Sequence, residues 1–494
     1  MTSGLATASA EPEQPLPRPA RRLLRFADGW LLLGCLAVAA GSLAVPALLG
    51  FDPWVWLIWG RELLRGGLAT DGTVAWKPLP VLVTAVLAPF GAAAPALWTV
   101  LARAFGLFGL VLVFRLAARF AGAGPGAGPA GRVAGLVAGA VAAAAFLITP
   151  DAEARWLRHL LQANIEPVTV ALGLWAVLRH LDGHRGSALL LGCAAALTRP
   201  EAWPLLLLYA AWLGWRSPRR WWLVLPALAV VPLLWFGGDL LLSGNPLGGA
   251  AVARVLPGTA TQRLLLALDA VAAAVILPVW LAAAVGVVWA AHRRRLGPVL
   301  LAGAALVWMA EVVVMSGVFG YAALGRFLAP VAAVACVLAG TAVGWTAALP
   351  WPGPARTGAV ALLLAAAVPA ALPRVAWLPA QQAAAGQRAA YDVDLDRALV
   401  TLGRDRLLAC GLPFGLDTAW PAAEFRAALA WRLDVPLAGS AHMVVNGTGV
   451  WFAQRGSPGE LNLAAQPPAA VRPVLRNERW VVYAQQCPAL TAPR

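Results

Sequence analysis

Apolar runs of about 17–25 residues, long enough to cross a bilayer as helix, recur along most of this chain. In lipid every backbone N–H and C=O must be satisfied internally, so such runs fold as helices or as a closed barrel. These runs are too long and too weakly alternating for barrel strands. Of the 494 residues, 60% are hydrophobic and only 12% charged, about half the charged share of a soluble domain. The reading is a polytopic α-helical membrane protein. About eleven spans fall at 29–49, 95–119, 132–148, 166–180, 186–198, 202–215, 221–241, 264–291, 297–319, 327–347 and 357–372.

The net charge of +15 would suit nucleic acid in a soluble chain. Here the arginines cluster in short loops, as the positive-inside rule predicts, so no nucleic-acid partner is expected. With the N-terminus inside, sixteen basic residues precede the first span or lie in inner loops, among them Arg115, Arg119, Arg179 and Arg293–Arg295. Nine basic residues lie outside: Arg61, Arg65, Lys77, Arg155, Arg158, Arg199, Arg254, Arg263 and Arg326. Eleven spans then place the C-terminus outside a plasma (inner) membrane. Residues 1–28 are expected to be a disordered cytoplasmic tail and the first span an uncleaved anchor. Of the eleven carboxylates between residues 29 and 372, only Asp182 falls inside. Acidic residues barely influence orientation, so a polar site on the outer face is the better explanation. Glu311 sits within an apolar run, where an ionisable group faces a cavity or a partner.

Residues 373–494 change in composition and read as a small extracytoplasmic α/β domain after the 29–372 membrane region. "MVVNGTGVWFA" and "PVLRNERWVVYA" look like strand–turn–strand, the first with Asn446-Gly447 as its turn. Cys410 and Cys487 are the cysteines outside the spans on the oxidising side, so a disulfide between them is expected. No Cys/His spacing reads as a zinc site. No cofactor is expected, and a divalent metal has no support from the motifs.

Four outer stretches carry the chemistry. "FDPWVWLIWGRELLRGGLATDGTVAWKPLP" holds Asp52, Glu62, Asp71 and Lys77, the chain's one lysine. Its Trp54, Trp56 and Trp59 suit an interfacial helix in the headgroup region, and "KPLPVLVTAVLAPFG" reads as a second one. "TPDAEARWLRHLLQANIEP" offers Asp151, Glu153, Arg155, Arg158, His159, Asn164 and Glu166, the last placed where a helix dipole also favours it. "LTRPEAWP" puts Arg199 and Glu201 in a tight turn. "GYAALGRFLAP" places Arg326 against the positive-inside trend, either to snorkel or to hold a phosphate. Arg103 has the same two readings. Lys77 is either an accident of an Arg-rich composition or a compact cation where a guanidinium fork is too wide.

The order and side of these stretches resemble the multi-spanning, polyprenyl-phosphate-sugar-dependent glycosyltransferases of the GT-C fold class. "FDPWVWLIWGREL" is similar to that class's acidic first-loop motif. "HLLQANIEP" resembles its second outer loop, "AAALTRPEAWPLLLLY" the Arg-Pro-Glu turn of bacterial members, and "GYAALGRFLAP" the late Arg-aromatic-x-x-Pro segment. The resemblance implies a polyprenyl-phosphate sugar donor, a glycan or other envelope acceptor, and Asp52 as catalytic base. Glu62, Lys77, Arg158, His159, Glu166, Arg199, Glu201 and Arg326 then bind substrate. Pro53 stands where some members have a second acid, which counts against a metal-dependent member. The chain looks most like members from actinomycete-type envelope pathways, whose donors carry mannose or arabinose. The rival readings are a lipid or solute transporter (flippase) and a non-catalytic envelope scaffold.

Overall fold

A computed structural model describes residues 18–44, 48–68, 70, 74–122, 128–150, 155–322, 324–442, 449–467 and 471–491. Asp71, Asp151, Glu153 and the Asn446-Gly447 turn lie outside them. The membrane region runs α1 (Arg18–Gly41), α2 (Phe51–Arg65), α3 (Pro78–Leu87), α4 (Ala94–Ala121), α5 (Pro129–Ile148), α6 (Trp156–Leu161), α7 (Glu166–Leu181), α8 (Arg185–Ala196) and α9 (Trp203–Arg216). It continues with α10 (Trp221–Pro232), α11 (Gly238–Ser243), α12 (Gly248–Ala253), α13 (Ala260–Ala273), α14 (Leu277–His292), α15 (Leu296–Gly317), α16 (Ala329–Ala347) and α17 (Gly353–Ala376).

The protein is a multi-pass helical membrane protein, but the expected count of eleven spans is not what the helices give. Among the described residues six helical runs are long and apolar enough to cross, seven if one bent pair counts as a span. The difference lies in length. Helices α7, α8 and α9 have 16, 12 and 14 residues, about 18–24 Å at ~1.5 Å per residue, against a hydrocarbon core of ~30 Å. Many of their side chains are buried in protein, so local hydrophobicity there marks tertiary packing as much as lipid. The run expected as one span at 264–291 is two helices, α13 and α14, meeting at 81°. Pro278 fits the break, since it stands in the first turn of α14 and has no N–H with which to continue the α13 hydrogen-bond ladder.

Helix α16 is the axis of the bundle, buried from Ala329 to Trp345 almost without interruption. It packs against α5, α14 and α4. Gly340 and Gly344 make a GxxxG pair on it. A Cβ at Gly344 would stand 2.7 Å from the Ala134 carbonyl of α5, so only glycine permits this backbone approach. On the side of the bundle that the arginine count makes inner, Asp28 is buried and paired with Arg115 and Arg179, and Asp182 with Arg119.

Helix α2 corrects an expectation. An interfacial helix leaves its tryptophans among headgroups. Trp54, Trp56 and Trp59 are instead 7%, 0% and 0% exposed. Helix α3, the other expected interfacial helix, has ten residues and leads into α4 through a 3-10 turn that is kinked at Gly91 (φ 54°). The α2 helix lies against it so closely that a Cβ on Gly60 would be 2.5 Å from the Thr84 backbone.

The cover over α2 comes from the C-terminal residues. After α17 the chain continues through α18 (Leu378–Leu402) and α19 (Arg404–Leu408), then β1 (Phe414–Leu416), α20 (Arg426–Arg432), β2 (Ser440–His442), β3 (Gly449–Gln454), α21 (Pro458–Ala464), β4 (Val471–Arg476), β5 (Trp480–Gln485) and α22 (Pro488–Thr491). The sheet order is β2-β1-β3-β5-β4. Strands β4 and β5, "VRPVLR" and "WVVYAQ", form an antiparallel pair. The hairpin expected around Asn446-Gly447 falls on residues 443–448, outside the described ones; of the strands that flank them, β2 and β3, each pairs in parallel with β1, which lies between them. Cys410 and Cys487 are joined by a disulfide with Cα atoms 5.0 Å apart.

Candidate active site

Six short segments converge at one end of the bundle. Asp52 lies in the first turn of α2 and Glu166 in the first turn of α7, both where the helix dipole favours a carboxylate. Lys77 is the residue before α3. Arg199 and Glu201 occupy the turn between α8 and α9, His159 sits on α6, and Arg326 lies in the 3-10 turn Gly325–Leu328 that leads into α16.

The charges interlock. Asp52 Oδ2 lies 3.9 Å from Lys77 Nζ and 3.4 Å from Arg326 Nη2. Glu166 Oε1 lies 3.4 Å from Arg199 Nη1 and 3.7 Å from Arg326 Nε. Arg326 therefore bridges the two carboxylates. Arg199 also donates to both oxygens of Glu201, at 3.1 and 2.5 Å. His159 Nδ1 is 3.8 Å from Glu166 Oε2 and 3.1 Å from Asn164 Nδ2. Three cations and three carboxylates thus share one largely desolvated volume, where Coulomb interactions are much stronger than at a surface. Burial pushes the Lys77 ammonium below the ordinary lysine range; Asp52 and Glu166 oppose that shift, while Arg199 and Arg326 add to it.

Aromatic rings complete the site, and these the motif reading missed. Lys77 Nζ sits 5.1 Å from the centroid of Trp56. The guanidinium of Arg199 lies 3.9 Å over Phe327 and that of Arg326 5.6 Å from the same ring. Such cation–π contacts are strongest when desolvated. The signals were present in the sequence: Trp56 is four residues after Asp52, hence on the same helical face, and Phe327 follows Arg326 directly.

Two of the nine expected site residues are not brought into this cluster. Glu62 is ten residues along α2 from Asp52, roughly 15 Å at the helical rise. It is buried beside Arg61, 3.6 Å away. Arg158 is exposed on α6, because the face carrying His159 is the one turned inward. Arg103 holds structure: it donates to the carbonyls of Leu160 and Ser42 and to the Ser42 hydroxyl. Among the described residues no three His, Cys, Asp or Glu side chains converge as a metal-ligand set.

No protein-family profile matches the chain, and no curated protein does. Solved structures do. The crystal structure of ArnT from Cupriavidus metallidurans bound to undecaprenyl phosphate superposes with a TM-score of 0.55 at 17% identity, and the apo structure of the same protein with 0.54 at 18%. Each match covers 95% of this chain and 100% of the other. The chain thus shares the fold of these ArnT structures along nearly its whole length.

Proposed function

We propose that this chain is an inner-membrane glycosyltransferase that moves a sugar from a polyprenyl-phosphate donor to an acceptor hydroxyl at the outer face. The observation that carries this reading is the meeting of half-buried Asp52 and Arg326 with buried Glu166, Lys77 and Arg199. A lipid-borne phosphate needs desolvated cations, and an acceptor hydroxyl needs a base beside them. Asp52 takes the hydroxyl proton as the oxygen attacks the anomeric carbon. The bond from that carbon to the phosphate oxygen breaks, and polyprenyl phosphate leaves with an added negative charge. Lys77, Arg199 and Arg326 stabilise that charge as it develops. Their present carboxylate partners hold them in place beforehand, so little reorganisation is needed in the transition state. Glu166 and Glu201 act on substrate indirectly, through Arg199 and Arg326. The ArnT structure with undecaprenyl phosphate supports the donor class through the shared fold. The mannose or arabinose of the resembling envelope enzymes belongs to the same proposal as the first donors to try.

The test is incubation of the purified protein in lipid nanodiscs with radiolabelled polyprenyl-phosphate mannose or arabinose. Acceptor-dependent release of polyprenyl phosphate, lost in Asp52→Asn, is the expected result. Uptake into vesicles without cleavage would establish the transporter reading instead.

A further inference from the structure

Helix α2 enters with no side-chain cap. Its N-cap is Gly50, whose N–H donates to the Gln162 carbonyl at 2.9 Å. One residue earlier, the Leu49 carbonyl accepts a 2.7 Å hydrogen bond from Arg388 Nη2, a partner 339 positions later in the chain. Arg388 is itself buried on α18, ion-paired through Nη1 to Glu424, with its guanidinium over Phe425. Glu424 is held in turn by the indole N–H of Trp420 at 3.1 Å. The far end of α2 is gripped as well: Arg61 donates to the Val435 carbonyl at 2.8 Å and pairs with Asp434 at 2.8 Å. Midway, Trp54 packs against Trp431 with ring centroids 6.3 Å apart. Among the described residues the side-chain hydrogen bonds, ion pair and ring contacts of Arg388 and Glu424 run to one another, Leu49, Trp420 and Phe425, and none to Asp52, Lys77, Glu166, Arg199 or Arg326. Whatever they do for that cluster passes through the backbone of α2.

We infer that Arg388 and Glu424 are positioning residues for Asp52, and that the C-terminal unit is a working part of the active site, not only a cover. The inference rests on the glycosyl-transfer reading of Asp52. The physical reason is the arginine fork. One guanidinium nitrogen takes the carboxylate and another the carbonyl, which fixes the residue three before Asp52 relative to the outer sheet. A single ammonium group offers no such planar fork. A base displaced by about 1 Å can lose about a hundredfold in rate.

The test uses the full-length protein in nanodiscs. Arg388→Lys keeps the charge beside Glu424 and abolishes the fork. It is expected to lower kcat about ten- to a hundredfold with donor KM unchanged, since the phosphate-holding cations are untouched. Amide hydrogen exchange of the peptide covering residues 48–56 should accelerate while that of the C-terminal sheet stays the same. Glu424→Gln, at a half-exposed position, should shift both readouts in the same direction by less. Arg397→Lys, exposed on the same helix, is the control and should change neither. Unchanged exchange at 48–56, or unchanged kcat, overturns the inference. So does exchange that rises throughout the chain, the mark of a purely structural residue. If the wild type cleaves no polyprenyl-phosphate sugar, the glycosyl-transfer reading fails separately, and the exchange comparison still decides whether Arg388 holds α2.

Discussion

Asp52 and Lys77 are the pair on which the proposed chemistry turns. Asp52→Asn keeps the shape of the first turn of α2 and removes the base. Loss of a positioned general base costs about 10²–10⁴ in rate, so turnover should fall by that amount while binding of polyprenyl phosphate persists. Isothermal titration on the same preparation separates the two. The surroundings of Lys77 favour the functional reading of the lone lysine. It is packed on Trp56 and shares Asp52 Oδ2 with Arg326, where a compact ammonium fits beside the guanidinium groups of Arg199 and Arg326. Burial lowers its pKa from the ordinary lysine value, so the cation is lost as pH rises through that lowered value. Donor binding should therefore weaken on the alkaline side earlier than an exposed lysine would dictate. In Lys77→Arg the side chain stays charged, so binding should be weaker at neutral pH but no longer decline at alkaline pH. A pH profile of donor KM for both proteins reads this directly, and an identical alkaline limb would show that Lys77 does not hold the phosphate.

Among the elements, α2 is the one whose sequence pattern misled. Its tryptophans match an interfacial helix because amphipathic aromatic helices bound by lipid and by protein look alike in one dimension. What distinguishes them is the partner. Asp434 draws in Arg61, Arg65 and Arg404 at 2.8, 2.9 and 3.3 Å and clamps the end of α2 to the C-terminal unit. Burial raises the Asp434 pKa, but the Arg65 hydrogen bonds and the charges of Arg61 and Arg404 outweigh it and hold the carboxyl below its ordinary value. A depressed carboxyl stabilises the fold above its unfolded pKa, about 3.9, and that contribution disappears as pH falls through the lower folded value. The clamp should thus survive pH 5 and open only in stronger acid. Asp434→Asn should remove it at every pH, for on the order of 1 kcal/mol because the site is partly exposed. Thermal unfolding of wild type and variant at pH 7 and at acid pH checks this: the gap should be present at pH 7 and shrink in acid.

At the scale of the whole molecule, the arginine distribution predicts an inner N-terminus and an outer C-terminus. A fusion at residue 494 should be active only with an extracytoplasmic reporter. Cys410 and Cys487 should resist thiol labelling in the folded, unreduced protein, whereas a cytoplasmic tail would label at both. That this chain lives in a membrane was legible in the sequence, because transfer free energies add up locally along the chain. The residues that meet in the candidate site were singled out too, in Asp52, Lys77, His159, Glu166, Arg199, Glu201 and Arg326, since ionisable groups at apolar boundaries are costly to keep. The tertiary structure alone decided the rest. Whether a 12- to 16-residue apolar helix spans lipid or packs in protein depends on its neighbours. That Glu62 and Arg158 face away while Arg326 bridges Asp52 and Glu166 depends on how helices rotate against one another. The hydrogen bond from Arg388 to the Leu49 carbonyl joins residues 339 positions apart, and no pattern of spacing or hydropathy encodes such a contact until the chain has folded.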